Sequence, residues 1–505
     1  MKKAVVLIFI FSLLSKLVGF VRELFVSYFY GVSPVTDAFN VAQSIPGFFL
    51  TFFGIAISTT LIPVYNRLKS KRSAENADCF FSTVCVFFCI ISLFTSAILI
   101  YFSESVVFVF APGLIGEAKE WAIELTKICC LGILLYSLTF LFNSYLNAKN
   151  KFIFTAFTNV PYNLVLLFSV FYAVENGVEY LAVGKIIGSL IQVMMLTLFA
   201  IKSGLQFKIN IRDNIEEIKN IFRLAIPAVL GSCVEQINRV VDKNIASSLM
   251  SGGISIINYS ERLILLVEGI LISPIILVVF SKASQYFSKE GEKEANDFIK
   301  KSIRVVIIIS FPLSVFLSTF SHEVVEIVYG RGEFVEHDVI ITSSLLSIYS
   351  LTIFFNALRQ VVSRYFYAIE NTKTPMWNAM FGMACNIALN IILSKIFGMK
   401  GLALATLISS ALICILMFYS YHRKSESVDF KDIFVLLVKV LTISLFCVVL
   451  GVQLMPIFVE NAGSLIGFFM CSMLLLFSYV LALFIFKIQE IEQIKNKFIK
   501  KVFHE

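Results

Sequence analysis

Residues 79–102 read CFFSTVCVFFCIISLFTSAILIYF, without one charged side chain. At 1.5 Å of rise per residue a helix of that length is about 36 Å long, more than the roughly 30 Å hydrocarbon core of a bilayer. Runs of this kind recur along the 505-residue chain, which is 58% hydrophobic, 15% charged and 14% aromatic, with 52 Phe but 10 Pro. Soluble chains are about 45–50% apolar and about 25% charged, and a soluble fold this apolar would expose too much apolar surface to stay in solution. The chain reads as an all-α, polytopic membrane protein.

Charge clusters and Gly, Pro or Asn divide the runs into 14 expected transmembrane helices. They cover 4–29, 35–64, 79–102, 121–147, 152–174 and 178–201, then 220–249, 254–281, 303–321, 339–369, 375–395, 401–421, 433–456 and 462–486. The opening Met1-Lys2-Lys3 and its apolar run resemble a signal peptide, but small-residue cleavage spacing is missing and the run continues to Tyr30, so it reads as a retained first span. With Arg223 and Arg304 counted in the loops they adjoin, the segments on the N-terminal side of the membrane hold 28 of the 42 Lys and Arg. The opposite loops hold only Lys119, Arg331, Lys395 and Lys400. That bias predicts both termini in the cytoplasm of a bacterial inner membrane. The net charge of +8 then reflects orientation and gives no support for nucleic-acid binding.

Polar stretches between spans rarely exceed about 20 residues, too short for a separate catalytic domain. The four His (His322, His337, His422, His504) fall in loops or the tail without metal-ligand spacing. The ten Cys form no CxxC pair and read as buried thiols. The best loop for enzyme chemistry, Glu333, Glu336, His337 and Asp338, reads as a solvated turn, so no enzymatic role is expected. Periodicity marks two interfacial helices: 211–222, with Ile211, Ile215, Ile218 and Phe222 on one face, and a tail with Ile488, Ile491, Ile494 and Phe498 opposite four lysines.

The halves resemble each other at an offset of about 220 residues, as parallel repeats do. Gly31-Val32-Ser33 matches Gly253-Ile254-Ser255, Tyr145 and Ala148 match Tyr365 and Ala368, and Asn163 matches Asn386. Two six-helix lobes around a central cavity follow, 1–205 and 206–425, with helices 13 and 14 and a basic amphipathic tail appended over 426–505. Two lobes that rock about a cavity describe a transporter, and one chain supplies the whole cavity, so a monomer suffices.

Ten basic residues fall inside spans: Lys16, Arg22, Lys127, Lys185, Arg239, Lys243, Arg262, Arg359, Arg364 and Lys439. Leaving Glu179 at a span edge aside, the acids inside are Glu23, Asp37, Glu124, Glu235, Asp242, Glu261 and Glu268. A cation at the bilayer centre costs about 2.5–3.5 kcal/mol, so each needs a partner, a wet cavity or a nearby face. The positive balance points to an anionic substrate, and Arg suits phosphate because its planar fork matches two oxygens. Neighbours on a helix do not face each other, so Arg22 beside Glu23 and Arg262 beside Glu261 are expected to keep their heads open for substrate. In the C-terminal lobe Asn386 and Asn390 lie one turn apart, with Thr406 in the next span. With Asp242 they offer oxygen ligands for a hard cation such as Na⁺, or else the Asn side chains bond across helices.

Ser15-Lys16-Leu17-Val18-Gly19-Phe20-Val21-Arg22-Glu23, then Gly31, Thr36-Asp37-Ala38-Phe39, Pro46 and Pro63, resemble the first two spans of the MurJ/MviN lipid II flippases. Tyr259-Ser260-Glu261-Arg262-Leu263 and Thr372-Lys373-Thr374-Pro375 resemble that family's eighth span and the loop after its tenth. The resemblance covers nearly the whole chain. It implies a member of the multidrug/oligosaccharidyl-lipid/polysaccharide exporter superfamily that moves an undecaprenyl-pyrophosphate-linked sugar, lipid II, from inner to outer leaflet by alternating access. It implies pyrophosphate contacts from Arg22 and Arg262, with Asp37 also in place; Glu23, Lys16, Arg239 and Lys243, charges of the same spans, are expected to complete the substrate site. It further implies a sodium site near Asp242, Asn386, Asn390 and Thr406, a lipid-tail groove from the last helix pair, and no other cofactor. The second span departs from the pattern: Leu50 and Ile55 stand where the family carries Arg and an acid. The alternative is therefore a flippase for another polyprenyl-linked glycan, such as a capsule or O-antigen unit. A drug/cation antiporter is a further rival that the basic interior argues against.

Overall fold

The computed structural model describes residues 2–289, 291–425, 430–488 and 490, helical in every regular element, with no strand among them. In chain order the first helices are α1 (Lys2–Tyr30), α2 (Pro34–Lys71), α3 (Ala74–Tyr101), α4 (Ser103–Phe110), α5 (Glu117–Leu131), α6 (Ile133–Ala148), α7 (Phe152–Asn176), α8 (Glu179–Lys202) and α9 (Ile211–Leu249). Then come α10 (Gly253–Val267), a π-helical turn (Glu268–Ile272), α11 (Ser273–Lys289), α12 (Glu292–Thr319), α13 (Ser321–Tyr329), α14 (Glu336–Ser350) and α15 (Thr352–Ala368). The last are α16 (Lys373–Phe397), α17 (Met399–Lys424), α18 (Phe430–Ala462) and α19 (Ser464–Ile485).

Each segment expected to span the membrane lies on these helices. Among the described residues, 11 helices are long and apolar enough to cross a bilayer, or 12 if α5 and α6, bent by 40°, count as one span. The two expected spans outside that set are α1 and α9. They carry Lys16, Arg22 and Glu23, and Glu235, Arg239, Asp242 and Lys243.

The chain divides into two compact units, one of residues 1–255 with 331–335, the other of 256–330 with 336–505. The expected boundary at 205 follows the sequence repeat, whereas the first unit continues through α9 because α9 packs along α2. The last pair joins the second unit, α18 lying on both α19 and α12. The expected interfacial helix over 211–222 is not separate. Nothing between 222 and 223 breaks a helix, so it forms the opening turns of α9, capped by Asn210. Ile218 and Ile221 are buried in the first unit's core with Tyr65, Phe81, Tyr145 and Leu196. The basic tail beyond 490 lies outside the described residues. Just before it, Arg304 of α12 forms a two-pronged ion pair with Glu490.

The repeat is visible in the order of elements. In each half a long helix (α3, α12) is followed by a short one (α4, α13) and then by a broken pair (α5–α6, α14–α15). Tyr145 and Tyr365 do equivalent work: the Tyr145 hydroxyl donates to Asp78 Oδ1 in α3 at 3.2 Å, and the Tyr365 hydroxyl to Glu292 Oε1 in α12 at 3.2 Å. Asp78 is buried, accepts a second bond from Tyr65 at 2.6 Å, and has Lys149 Nζ at 3.7 Å. Asn163 and Asn386 diverge. Asn163 reaches Ser15 of α1 at 3.0 Å, while Asn386 accepts from Asn390 within α16 at 2.8 Å.

Candidate substrate site

In the first unit, α1 sets its small face against α7. A Cβ on Gly19 would stand 3.2 Å from Asn163 Oδ1, and Ser15 one turn earlier accepts from the same side chain. The Ser15/Gly19 spacing of the first-span motif is thus a helix-packing device of the kind small residues provide in membranes. Lys16, next to it, is exposed. Arg22 is half-buried and its guanidinium forms an ion pair with Glu23. This corrects the expectation of an open Arg22 head. The rule that adjacent helical positions do not meet applies to short side chains, whereas Arg and Glu are long enough to swing together when no water competes.

Asp37 is positioned by local sequence. Ser33 caps α2, its oxygen accepting from the Thr36 N–H at 3.3 Å while the Ser33 N–H donates to Thr36 Oγ1 at 3.0 Å, and Pro34 opens the helix. Asp37, the residue after Thr36, is 1% exposed. Its Oδ2 accepts from the Gly252 N–H at 2.8 Å, and its Oδ1 accepts from the Ser255 N–H at 2.7 Å and from Ser255 Oγ at 2.6 Å. Asp37 therefore caps the start of α10, where a carboxylate suits the positive end of the helix. Gly252 reaches this turn with φ +80°, a conformation that favours glycine. Gly31 (φ +52°) leaves no room for a Cβ either, which would stand 2.2 Å from the Glu333 carbonyl oxygen. The Glu333 N–H in turn donates to the Tyr28 carbonyl at 2.8 Å. The loop read as a solvated turn is thus docked through its backbone, and Asp338 after it is buried in the first turn of α14.

Arg239 and Lys243 come together with α2 at a cavity of about 210 Å³. Its walls are Ser44, Gly47, Phe48 and Thr51 of α2 and Gln236, Arg239, Val240 and Lys243 of α9, with Phe110 of α4 also lining it. Both sets follow the i, i+3, i+4, i+7 rhythm of one helix face. Lys243 donates to Ser44 Oγ, and Thr51 donates to the Gly47 carbonyl at 2.9 Å. The α2 half of this site escaped the sequence reading, which looked for charge at positions 50 and 55. The visible signal was the stripe of small and hydroxylated residues. Leu50 itself is buried.

In the second unit, Arg262 and Glu261 are half-buried in α10. Arg262 has an interaction partner. Glu268, at the first position of the π turn, lies near Arg359 and Asn356 of α15. Of the expected sodium ligands, Asn386 and Asn390 are buried and joined to each other. Thr406 donates to the Leu402 carbonyl at 3.1 Å. Asp242, buried in α9 with Asn238 Nδ2 at 3.5 Å, belongs to the first unit. An apolar groove of about 470 Å³ runs beside α18, lined by Phe354, Phe355, Ile415, Phe418, Phe434 and Leu437 among others.

A family model described as lipid II flippase MurJ matches residues 26–474. A protein of Buchnera aphidicola subsp. Acyrthosiphon pisum, named probable lipid II flippase MurJ, is 29% identical over 472 residues, 92% of each chain. A solved lipid II flippase MurJ in an inward closed conformation aligns with a TM-score of 0.82 at 27% identity, covering 95% of this chain and 98% of that one. A multidrug resistance MATE family transporter of the MOP superfamily, inward-facing, aligns with a TM-score of 0.66 at 14% identity and shares the fold.

Proposed function

This chain belongs to the lipid II flippase MurJ family, and from that premise we propose that it carries lipid II from the inner to the outer leaflet of a bacterial inner membrane by alternating access. The observation that carries this reading is the match to a lipid II flippase over nearly the full chain, joined to a basic interior suited to a pyrophosphate. Arg22 and Arg262 bind the pyrophosphate. In the resting state Glu23 holds the Arg22 guanidinium, and an incoming phosphate exchanges one anionic partner for another, which lowers the desolvation cost of binding. The polyprenyl tail stays in lipid and rests in the apolar groove beside α18.

Both termini face the cytoplasm, as the Lys and Arg bias favours. One chain acts alone. The membrane potential, worth about 2.3 kcal/mol per charge per 100 mV, biases the inward and outward states. Sodium at Asn386, Asn390 and Thr406 of the second unit adds to that bias. The Asn and Thr oxygens suit a hard cation, although Asn386 Oδ1 already accepts from Asn390.

The test is replacement of the resident lipid II flippase in a depletion strain, with labelled lipid II exposure on the outer leaflet as readout. Growth with exposure is the expected result. An expressed, inserted protein that gives neither would overturn lipid II as substrate. It would favour another polyprenyl-linked glycan, a reading that the apolar Leu50 and Ile55 of α2 support.

A further inference from the structure

The α2–α9 cavity has features that helix packing does not require. Between Pro34 and Asn66, α2 carries no Lys or Arg, and the two cations that line the cavity, Arg239 and Lys243, both come from α9. Arg239 lies ten residues and Lys243 six residues before the end of α9 at Leu249, about 15 Å and 9 Å along the helix axis. Arg239 is exposed and Lys243 half-buried, and in a chain of this class a cation away from the helix ends is costly unless something compensates it. Arg239 has no hydrogen bond, ion pair or ring contact among the described residues. Glu235 is one turn earlier, the favourable order for a helical ion pair, yet no such pair forms among those residues. Asp242, one turn later, is buried and has Asn238 beside it.

The opposite wall presents two hydroxyls, Ser44 and Thr51, and at Gly47 a Cβ would meet nothing within 4 Å, so backbone is open to the cavity. Two cations and two hydroxyls around about 210 Å³ form a small anion site. Drug-sized ligands need about 300–1,000 Å³, so a phosphate group fits where a whole glycan headgroup does not.

We propose that Arg239 and Lys243, with Ser44 and Thr51, form a second phosphate-binding subsite in the first unit, built from α2 and α9 without Arg22, that takes the pyrophosphate of the transported lipid. This rests on the reading that the substrate is a lipid-linked pyrophosphate. Arg239 supplies the bidentate fork and Lys243 a point charge already oriented by Ser44, while the Ser44 and Thr51 hydroxyls turn from the Asn40 and Gly47 carbonyls to donate to the anion.

The experiment uses the full-length protein in nanodiscs and two probes, undecaprenyl pyrophosphate and inorganic pyrophosphate. For the lipid probe, R239Q and K243Q should each weaken binding about tenfold, and the double variant about a hundredfold, the scale of one charge-assisted contact per tenfold step. Arg239→Lys should retain most of the affinity, and higher ionic strength should weaken the wild type more than the double variant. Inorganic pyrophosphate should compete with the lipid in the wild type and compete about tenfold more weakly in R239Q. Unchanged binding in the double variant, or lipid binding that inorganic pyrophosphate never displaces, would overturn the subsite. If the double variant is not recovered folded, S44A with T51V decides in the same assay, with severalfold weakening expected and no change overturning the proposal. A wild type that binds the lipid through Arg239 but fails to expose lipid II in cells would refute lipid II as substrate and leave the subsite standing.

Discussion

Asp37→Ala should remove most of the protein from the membrane fraction, and whatever remains should unfold well below the wild type. The carboxylate is 1% exposed and accepts three bonds of 2.6–2.8 Å from Gly252 and Ser255. Hydrogen bonds to a charged group contribute about 1.5–3 kcal/mol each, and truncation also leaves buried N–H donors unmade. A loss of about 3–5 kcal/mol is a large share of the 5–15 kcal/mol that holds a typical domain. Asp37→Asn keeps an oxygen for Ser255 but turns an amide toward the Gly252 N–H, so it should fall between. Immunoblotting of membranes and the thermal midpoint of purified protein measure the effect. Normal level and midpoint with lost transport would show instead that Asp37 acts on substrate, and the capping assignment would fail.

The second large effect runs the other way, with transport lost and protein kept. Arg22→Ala and Arg262→Ala should each lower lipid II exposure by about 30-fold or more, since truncating one member of a desolvated charge pair costs about 2–5 kcal/mol. Arg22 needs a control because its removal leaves Glu23 without its ion-pair partner. Adding Glu23→Gln removes that charge, so the Arg22→Ala/Glu23→Gln double variant should regain thermal stability and still fail to transport. Recovery of transport in the double variant would make Arg22 a structural partner of Glu23, and the phosphate role would be withdrawn.

The helical membrane architecture was legible from composition and run length because a bilayer demands long apolar segments. The repeat was legible through Tyr145 and Tyr365, which serve matching bonds. Contacts that depend on distant chain were not legible. A span was expected over 35–64, but nothing in Ser33, Pro34, Thr36 and Asp37 discloses that Asp37 is held by Gly252 and Ser255, more than 200 residues on. The Arg22–Glu23 pair was missed for a different reason: a rule about backbone geometry was applied to side chains long enough to escape it. At the α2–α9 cavity the cations were singled out from sequence, while Ser44, Gly47 and Thr51 passed as ordinary span residues.

The π turn at Glu268–Ile272 alters how its span presents itself to lipid. Ile256, Ser260 and Leu263 set a buried rhythm, and 3.6 residues per turn would carry it on to positions 277 and 278. Those residues, Leu277 and Val278, are 70% and 53% exposed, while Ile276 and Val279 are buried. A wider turn advances the chain by about one residue, roughly 100° of azimuth. The span is two helical segments out of phase with each other, and a wheel drawn from Arg262 assigns the wrong side to everything after Ser273.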